Sequence, residues 1–433
     1  MTAAHRVFRA LSAAALALLL MAAAACASSP SDAQVVMLWH SLTGAKEQAL
    51  LDLVDRWNET NPYRITVTPE RRDQAALHNG VLNGSRFGAV PGLVLASPMQ
   101  VDVYQQRNIL ADLTPFVSSA DGDVGWTPAD RADLYPFVLT AGRATDGRIL
   151  GIPQGGTARV MVYNRDWLKS LNFDALPSDW EQYMATCANA ADRAKGTLCF
   201  GASTDDAAFQ EWALANGARI MAASARVMQL AAPNSLEAIN RLDSFVRANQ
   251  AYRSTTQSQS REDFAAARVL YAFDWSDQLP NFRRAIRERG NFDWDVGLLP
   301  STVQAPAAPF RAPLWAVPKS TPQRELAAWK FIRWMLDEPQ TAEWSARTGE
   351  LPARLSAVND AKWQQQADPL MPAVMSTFAP AVQPEPLISG WGCIQDVLKS
   401  VLRDIYDGKP VTDTLTVAQY TAQTEVDYDC SLK

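Results

Sequence analysis

Residues 35–62 read VVMLWHSLTGAKEQALLDLVDRWNETNP, and this stretch decides the fold. Its first five residues are apolar without alternation, which is typical of a strand buried on both faces of a parallel sheet. A helix is predicted next, because Thr43 is a suitable N-cap, apolar residues recur at helical spacing up to Trp57, and Asn61-Pro62 ends the pattern. A buried strand followed at once by an amphipathic helix predicts an α/β domain.

The same alternation runs outward from this stretch and then restarts after Gly151. Strands are predicted at residues 63–67, 93–95, 160–163, 198–201, 269–273, 294–299 and 314–317, and helices at 178–190 and 325–336. We therefore predict two wound α/β lobes, an N-terminal lobe of residues 26–154 plus 312–340 and a C-terminal lobe of residues 155–311 plus 341–433. Gly155 and Gly156 are assigned to the hinge, where glycine lets a crossing chain bend.

The amino terminus predicts export. Arg6 and Arg9 precede an apolar run that is too short to cross a bilayer, so residues 1–25 are interpreted as a signal peptide. Residues 23–26, Ala-Ala-Ala-Cys, resemble the lipobox at which bacterial lipoproteins are cut and acylated. This resemblance implies an exported protein, lipid-anchored through Cys26 and facing the periplasm or the cell exterior. Ordinary cleavage after small residues is the alternative.

The remaining four cysteines, an even number, suit an oxidising compartment. Four cysteines allow three connectivities, and we favour Cys187 with Cys199 and Cys393 with Cys430, because each pair closes a loop of modest length. Zinc is the competing interpretation, but no CxxC spacing occurs and only His40 and His78 follow the signal peptide. We expect no metal site and no cofactor.

Charge and motifs exclude several functional classes. The chain has a formal net charge of −6, and loss of the two signal-peptide arginines leaves about −8, so nucleic acid is not an expected partner. The sequence has no GxSxG, HExxH or GxxxxGK[ST] motif, and its carboxylates show no spacing that singles out an acid and a base. We therefore predict that the protein is not an enzyme. A secreted glycoside hydrolase is the alternative function from a different class of protein.

Seven short stretches in collinear order resemble the extracellular solute-binding proteins of ABC importers, the family (family 1) that includes the glycerol-3-phosphate and maltodextrin binders. They are LWHS at 38–41, WNETNP at 57–62, GIP at 151–153, VYNR at 162–165, VGLLP at 296–300, AAWKFI at 327–332 and TGELP at 348–352. The resemblance implies a type II periplasmic-binding-protein fold with a ligand cleft at the hinge. It also implies a monomer that binds a small-molecule solute, passes it to an ABC permease, and contacts the membrane only through its lipid anchor.

Candidate ligand residues follow from strand ends, from the hinge and from tryptophans beside loops, and the resemblance adds Asp73, Thr157 and Glu350, which stand at about the positions of cleft residues in related binders. They are His40, Ser41, Asp73, Ser97, Gln154, Thr157, Trp212, Asp274, Trp275, Glu350 and Trp391. Asp274-Trp275-Ser276-Asp277 resembles the segment from which maltodextrin binders supply a stacking tryptophan, and an aromatic face suits a sugar ring.

Three positions differ from the glycerol-3-phosphate binders, which carry Tyr near Glu350, Glu near Pro98 and Arg near Leu387. Without that arginine the binding site lacks the residue expected to hold a phosphate, so we predict that the ligand is a neutral sugar or oligosaccharide. Glycerol-3-phosphate or a glycerophosphodiester is the alternative, which Arg71 and Arg72, next to Asp73, keep open.

Overall fold

The computed structural model describes residues 34–222, 226–254, 256–303, 307–378 and 381–428, and it is a mixed α/β structure with two main sheets. The predicted signal peptide, Cys26 and Cys430 lie outside the described residues. Within the described ranges, no helix is both long enough and apolar enough to cross a membrane.

The strands are, in chain order, β1 (Gln34–His40), β2 (Ile65–Arg71), β3 (Leu93–Ala96), β4 (Ile152–Pro153), β5 (Gly155–Asn164), β6 (Leu198–Ser203), β7 (Met221–Ala222), β8 (Val227–Met228), β9 (Ala251–Ser254), β10 (Val269–Trp275), β11 (Trp294–Gly297), β12 (Ala308–Arg311), β13 (Leu314–Ala316), β14 (Leu351–Pro352) and β15 (Val382–Pro384).

The helices are, in chain order, α1 (Gly44–Thr60), α2 (Gln74–Ser85), α3 (Pro98–Gln106), α4 (Thr114–Val117), α5 (Pro128–Asp133), α6 (Pro136–Thr140), α7 (Arg165–Ser170), α8 (Trp180–Ala190), α9 (Asp206–Ala215), α10 (Pro233–Arg247), α11 (Gln257–Ala265), α12 (Leu279–Arg289), α13 (Pro322–Met335), α14 (Glu338–Thr348), α15 (Ala361–Gln366), α16 (Met371–Thr377), α17 (Trp391–Tyr406) and α18 (Val411–Tyr428). Two 3-10 turns lie at Ser276–Gln278 and Ser356–Asn359.

The first sheet has the strand order β2-β1-β3-β13-β4, and all five strands fall in the ranges predicted for the N-terminal lobe. β1 is parallel to β2 and β3, whereas β13 is antiparallel to its neighbours. The helix predicted after β1 is confirmed as α1, with Thr43 at its N-cap and Asn61 at its C-cap. Its apolar face buries Leu50, Leu53 and Trp57 against the sheet.

The second sheet is built around β5, which pairs with four strands: β14, β12, β10 and β11. β6 and β9 continue the sheet beyond β10, and β15 lies beyond β12. All these strands fall in the ranges predicted for the C-terminal lobe. The predicted boundary at residue 341 lies inside α14, which packs on α1 of the first lobe through Arg56–Glu343 and Arg347–Asp52 ion pairs of 2.7 Å each.

The two glycines assigned to the hinge also have a packing role. Gly155 and Gly156 are ordinary extended residues of β5, and neither has a positive φ. A Cβ on Gly156 would lie 2.2 Å from the Phe310 ring, and one on Gly155 would lie 2.6 Å from the Leu351 carbonyl oxygen. These glycines therefore let neighbouring strands approach closely, and their role in the hinge is still a prediction.

One predicted disulfide is confirmed. Cys187 at the end of α8 is bonded to Cys199 in β6, and both residues are buried. Cys393 is also disulfide-bonded, whereas its predicted partner, Cys430, lies outside the described residues.

Candidate functional site

The candidate site lies between one edge of the first sheet and the facing edge of the second sheet. β1, β2 and β3 are parallel, so their carboxyl ends share one edge of the first sheet. In the second sheet, β10 and β12 run antiparallel to β5, which places Trp275 and Arg311 beside the first residues of β5. Lys46 of α1 spans the gap to the C-terminal lobe, so the two edges face each other across a cleft.

Trp275 lies at the centre of the C-terminal edge of this cleft. Its side chain is largely buried, and the Arg311 guanidinium lies 4.3 Å from the ring centroid, with Arg159 at 5.8 Å. An arginine at this distance makes a cation–π contact. Trp275 is therefore held in a fixed orientation at the point where β10 ends.

Charged side chains surround Trp275, and we call them the charged band. It comprises the cationic residues Lys46, Arg159, Arg261 and Arg311 and the acidic residues Asp205, Asp206, Glu211, Asp274, Asp277, Glu350 and Glu385. Each of the four cations forms an ion pair with at least one of the seven carboxylates. Carboxylates outnumber cations in the band, so its potential disfavours an additional anion.

Arg311 faces the cleft with a third of its side chain exposed. It contacts Asp206 at 2.7 Å and Glu385 at 2.9 Å, and both of those carboxylates are largely buried. Gln395 of α17 donates from the same side to both carboxylates, at 3.0 and 3.2 Å. Because two carboxylates neutralise it, the Arg311 guanidinium is not free to hold a phosphate.

Arg159 and its partners form the buried side of the band. The Arg159 side chain is fully buried, and its Nε donates to Glu211 at 3.1 Å while Nη1 lies 3.4 Å from Asp205. Burial raises the pKa of Glu211 to about 8 and that of Asp274 to about 6, although the Arg159 charge opposes both shifts. Asp274 also accepts hydrogen bonds from the Trp275 N–H at 2.8 Å and from Arg261 at 3.3 Å.

Thr157 connects the start of β5 to the loop after Trp275. Its hydroxyl lies 3.1 Å from the Ser276 hydroxyl and accepts a hydrogen bond from the Asp277 N–H at 3.3 Å. The carboxylate of Asp277 lies 3.1 Å from Lys46 Nζ. The structure thus brings together Thr157, Asp274 and Trp275, three of the residues singled out in the sequence.

Glu350 joins the same group through the turn that follows α14. Gly349 ends that helix in the left-handed conformation, with φ of 73°, and its N–H donates to the Ser345 carbonyl. The turn directs Glu350 inward, where its carboxylate accepts from Trp344 Nε1 at 2.8 Å and lies 2.7 Å from Lys46 Nζ. Burial alone lowers the pKa of Lys46, but the Glu350 and Asp277 carboxylates outweigh it and raise that pKa.

A cavity of about 460 Å³ lies beside the charged band and between the lobes. The N-terminal lobe contributes residues 140–145 to its wall, and the C-terminal lobe contributes Glu385, Leu387 and Trp391 among others. Its walls combine apolar side chains with a few polar groups, and its volume is in the range of small-molecule sites. Trp391, a predicted ligand residue, lines this cavity.

A second contact between the lobes lies at the end of α3. The Asp102 carboxylate accepts from the Ser389 N–H at 2.6 Å and lies 3.6 Å from Arg226. Gln106 donates to the Ser389 hydroxyl at 2.9 Å. Lys46 and Asp102 therefore make polar contacts across the cleft, in addition to the α1–α14 ion pairs that also join the lobes.

Four predicted residues lie on the first-lobe edge, and two of them have local structural roles. Asp73 and Ser97 cap α2 and α3, accepting from Ala76 N–H and Gln100 N–H respectively. Ser41 is half-buried, and burial lowers the pKa of the neighbouring His40. Ligand contact by these four residues is still a prediction.

Two further predicted residues make buried contacts inside the lobes. The Gln154 amide donates to the Met335 carbonyl at 2.7 Å and accepts from Trp315 Nε1 at 3.2 Å. Trp212 is stacked on Trp180 at 5.3 Å within the core of the C-terminal lobe. In the described conformation neither side chain is presented to the cleft, so we leave both out of the proposed site.

Sequence reasoning missed the cationic members of the band. Arg159 interrupts the otherwise apolar buried run of β5, and this anomaly was the available signal, because a charge in a buried strand requires partners. Arg311 and Lys46 carry no comparable local signal. Among the described residues, no group of three or more His, Cys, Asp or Glu side chains is placed to hold a metal ion.

Comparison with known proteins identifies the relatives of this chain. Residues 52–373 match the family model described as bacterial extracellular solute-binding protein. The sn-glycerol-3-phosphate-binding periplasmic protein UgpB of Yersinia pseudotuberculosis is 22% identical over 348 residues, which cover 76% of each chain.

Two solved structures share the fold. The sugar-binding protein MalE of Xanthomonas citri superposes with a TM-score of 0.78 at 18% identity, covering 92% of this chain and 99% of MalE. UgpB of Mycobacterium tuberculosis, solved in complex with glycerophosphocholine, gives a TM-score of 0.70 at 21% identity, and the match covers 92% of this chain and 99% of UgpB. The two-lobed fold predicted from the sequence is confirmed.

Proposed function

Because the chain belongs to the bacterial extracellular solute-binding protein family, we propose that it captures a neutral sugar or oligosaccharide and delivers it to the permease of an ABC importer. The ligand enters the cleft between the lobes and contacts both of them. Closure is driven only by the difference in affinity between the closed and open states.

The charged band is the observation that carries the choice of a neutral ligand. Asp277 and Glu385, whose side chains are 14% and 12% exposed, can accept hydrogen bonds from sugar hydroxyls, and the four cations of the band are already paired. A phosphate entering beside Trp275 would meet an excess of negative charge. Trp275 and Trp391 supply the apolar surfaces that suit the faces of sugar rings.

Glycerol-3-phosphate or a glycerophosphodiester is the second candidate, and a specific observation favours it. Arg143 of the N-terminal lobe and Arg219 of the C-terminal lobe both line the cavity, and both are exposed. A phosphate between them would contact both lobes, as a closing ligand must. The names of the UgpB relatives point in the same direction.

The deciding experiment titrates the purified protein with maltose, maltotriose, glycerol-3-phosphate and glycerophosphocholine, with tryptophan fluorescence and heat of binding as readouts. We expect saturable binding of a neutral sugar, weakened roughly tenfold or more by Trp275→Ala. Trp180→Ala is the matched control, because Trp180 has similar burial and also has an arginine, Arg241, 4.3 Å from its ring centroid.

Other outcomes reject this proposal in distinct ways. Binding of the phosphorylated ligands alone, lost in an Arg143→Gln/Arg219→Gln variant, would replace the sugar with the second candidate. Turnover of a glycoside, with a carboxylate variant inactive, would establish the secreted hydrolase instead.

A charge variant tests the band directly. In Glu385→Gln, Arg311 loses one of its two carboxylate partners, so we expect glycerol-3-phosphate affinity to rise several-fold and sugar affinity to fall. Glu343→Gln is the control, because Glu343 pairs with Arg56 and Arg347 on α1 and α14, outside the cleft. Equal responses of the two variants would contradict the role given to the band.

We also propose the finer features that the sequence predicts, namely acylation of Cys26, the Cys393–Cys430 disulfide and a monomeric state. Mass spectrometry of the exported protein, intact and after proteolysis without reductant, measures the first two. Light scattering of the purified protein measures the third.

A further inference from the structure

A groove of about 580 Å³ lies on the N-terminal lobe, away from the cleft. It is formed over the amino ends of β1 and β3, between the end of α2 and the start of α13, and its walls include Val35, Pro91, Arg107, Lys319 and Arg324. The ligand cleft lies at the carboxyl ends of the same strands. Groove and cleft are thus about 13 Å apart along β1, counted from Val36 to His40 at the usual rise of a strand.

Large apolar side chains are exposed at this groove. Val35 is 61% exposed, Met37 is 41% exposed, and Phe87, between the lining residues Ser85 and Gly88, is 84% exposed. Nine large hydrophobic residues are exposed in the described part of the chain, and these are three of them. Such clustering marks an interaction surface, whereas scattered exposed residues do not.

Cationic side chains surround these apolar residues. Arg107 and Arg324 are exposed and form no ion pair with another described residue, and Lys319 donates to the Asn108 side chain. The acidic residue nearest to them in sequence, Glu325, accepts from the Ser320 N–H at 2.7 Å. In a chain with a net charge of −6, three cations around an apolar patch form a local positive surface.

The position of the groove in the chain indicates what it faces. β1 begins at Gln34, eight residues after the predicted acylation site Cys26. Eight fully extended residues span at most about 29 Å. A lipid on Cys26 would therefore keep the start of β1, and the groove beside it, within that distance of a bilayer.

We propose that this groove is a membrane-contact surface, in which Val35, Met37 and Phe87 enter the interfacial region while Arg107, Lys319 and Arg324 bind the phosphates of anionic phospholipids. Cations next to exposed apolar side chains are the combination by which peripheral proteins bind anionic bilayers. The surface adds a second membrane contact to the predicted lipid anchor, and it is independent of which solute the cleft binds.

The test uses residues 27–433, which retain every described residue but lack the acylation site, so any binding is due to the protein surface. Cosedimentation is measured with vesicles of phosphatidylcholine alone and with vesicles that contain about 30% phosphatidylglycerol. Each lysine or arginine near such an anionic surface contributes about 1 kcal/mol to the free energy of binding. We expect binding only to the anionic vesicles, and weaker binding at high salt.

Matched variants localise that binding. Arg107→Gln/Lys319→Gln/Arg324→Gln should lower the partition coefficient roughly 100-fold if the cations act independently. Phe87→Ser should lower it roughly tenfold without affecting the fold, because the side chain is exposed. Lys195→Gln/Lys399→Gln/Lys409→Gln makes the same change in net charge at exposed lysines outside the groove and should leave binding within about twofold.

Several results would overturn the inference. They are equal binding to neutral and anionic vesicles, an equal loss in the two triple variants, and saturable binding of inorganic phosphate without vesicle binding. Self-association that Phe87→Ser abolishes, again without vesicle binding, would reassign the groove to contact between copies of this chain. Sugar titration of the same preparations reports separately on the proposed function.

Discussion

Arg159 shows how one buried residue can organise the charged groups around it. Its guanidinium is buried between Asp205, Glu211 and Asp274, and it lies beside Trp275. A buried charge without partners would be strongly destabilising, so the arrangement fixes the carboxylates around the arginine. Trp275 is consequently held between Arg159 and Arg311, and the cleft edge is preorganised before any ligand arrives.

A pH dependence of stability follows from Asp274 at the same scale. Its pKa is about 6 in the folded protein against 3.8 in its reference state, so the folded state binds the proton more tightly. This carboxyl therefore contributes stability at low pH, and the contribution is lost as pH rises from about 4 through about 6. In Asp274→Asn that loss is absent.

We expect the free energy of unfolding of Asp274→Asn, relative to wild type, to rise by about 3 kcal/mol between about pH 4 and pH 7. Urea denaturation across this range measures it. Asp396→Asn, at an exposed position, is the control for the substitution itself. A constant difference between Asp274→Asn and wild type across the range would show that Asp274 does not titrate in this window.

At the scale of elements, the local sequence pattern predicted those strands and helices whose formation depends on neighbouring residues alone. The apolar runs of β1, β5 and β10 and the caps of α1 identified strands and a helix correctly, because burial on both faces and capping are local. α9 misled the choice of ligand residues, because it is buried on all sides and gives no stripe that separates Trp212 from a cleft residue. The pairing of β5 with β14, almost 200 residues later, depends on tertiary contacts that no local window contains.

The Cys187–Cys199 disulfide joins α8 to β6, and it is expected to stabilise this element pair. The cysteines are 12 residues apart in sequence, and closing a loop of that length is worth about 3 kcal/mol through the unfolded state. Cys187→Ala/Cys199→Ala should lower the free energy of unfolding by about that amount, as measured by denaturation without reductant. Met184→Ala, at an exposed position on the same helix, should change it by less than about 1 kcal/mol. A double variant as stable as wild type would refute the estimate.

At the scale of the whole molecule, two sets of polar contacts bridge the cleft between the lobes. Lys46 bridges to Asp277 and Glu350 at one side, and Asp102 bridges to Ser389 and Arg226 at the other. Polar contacts of this kind exchange readily with water when the lobes separate. The arrangement therefore suits a molecule that opens and closes, because the contacts bias the two states without locking either.

Lys46→Met is expected to favour the open state. It leaves the Glu350 carboxylate buried without its cation, and exposure to water relieves that cost when the lobes separate. We expect the radius of gyration in small-angle scattering to increase, because a smaller fraction of the molecules is closed. For the same reason we expect ligand affinity to fall about tenfold. Lys46→Met/Glu350→Gln, which removes both charges, should restore much of the affinity. An unchanged radius of gyration in Lys46→Met would contradict this role.

The central position of β5 also constrains when the molecule can fold. Its partners include β12 and β14, so residues near 310 and 351 must be present before the sheet is complete. The first sheet likewise cannot be complete until β13, near residue 315, is present. During export the amino end crosses the membrane first, so long stretches of both lobes emerge before their strand partners do. A chain exported unfolded therefore has unpaired strand edges until most of its length has crossed the membrane, and both sheets are completed only at that late stage.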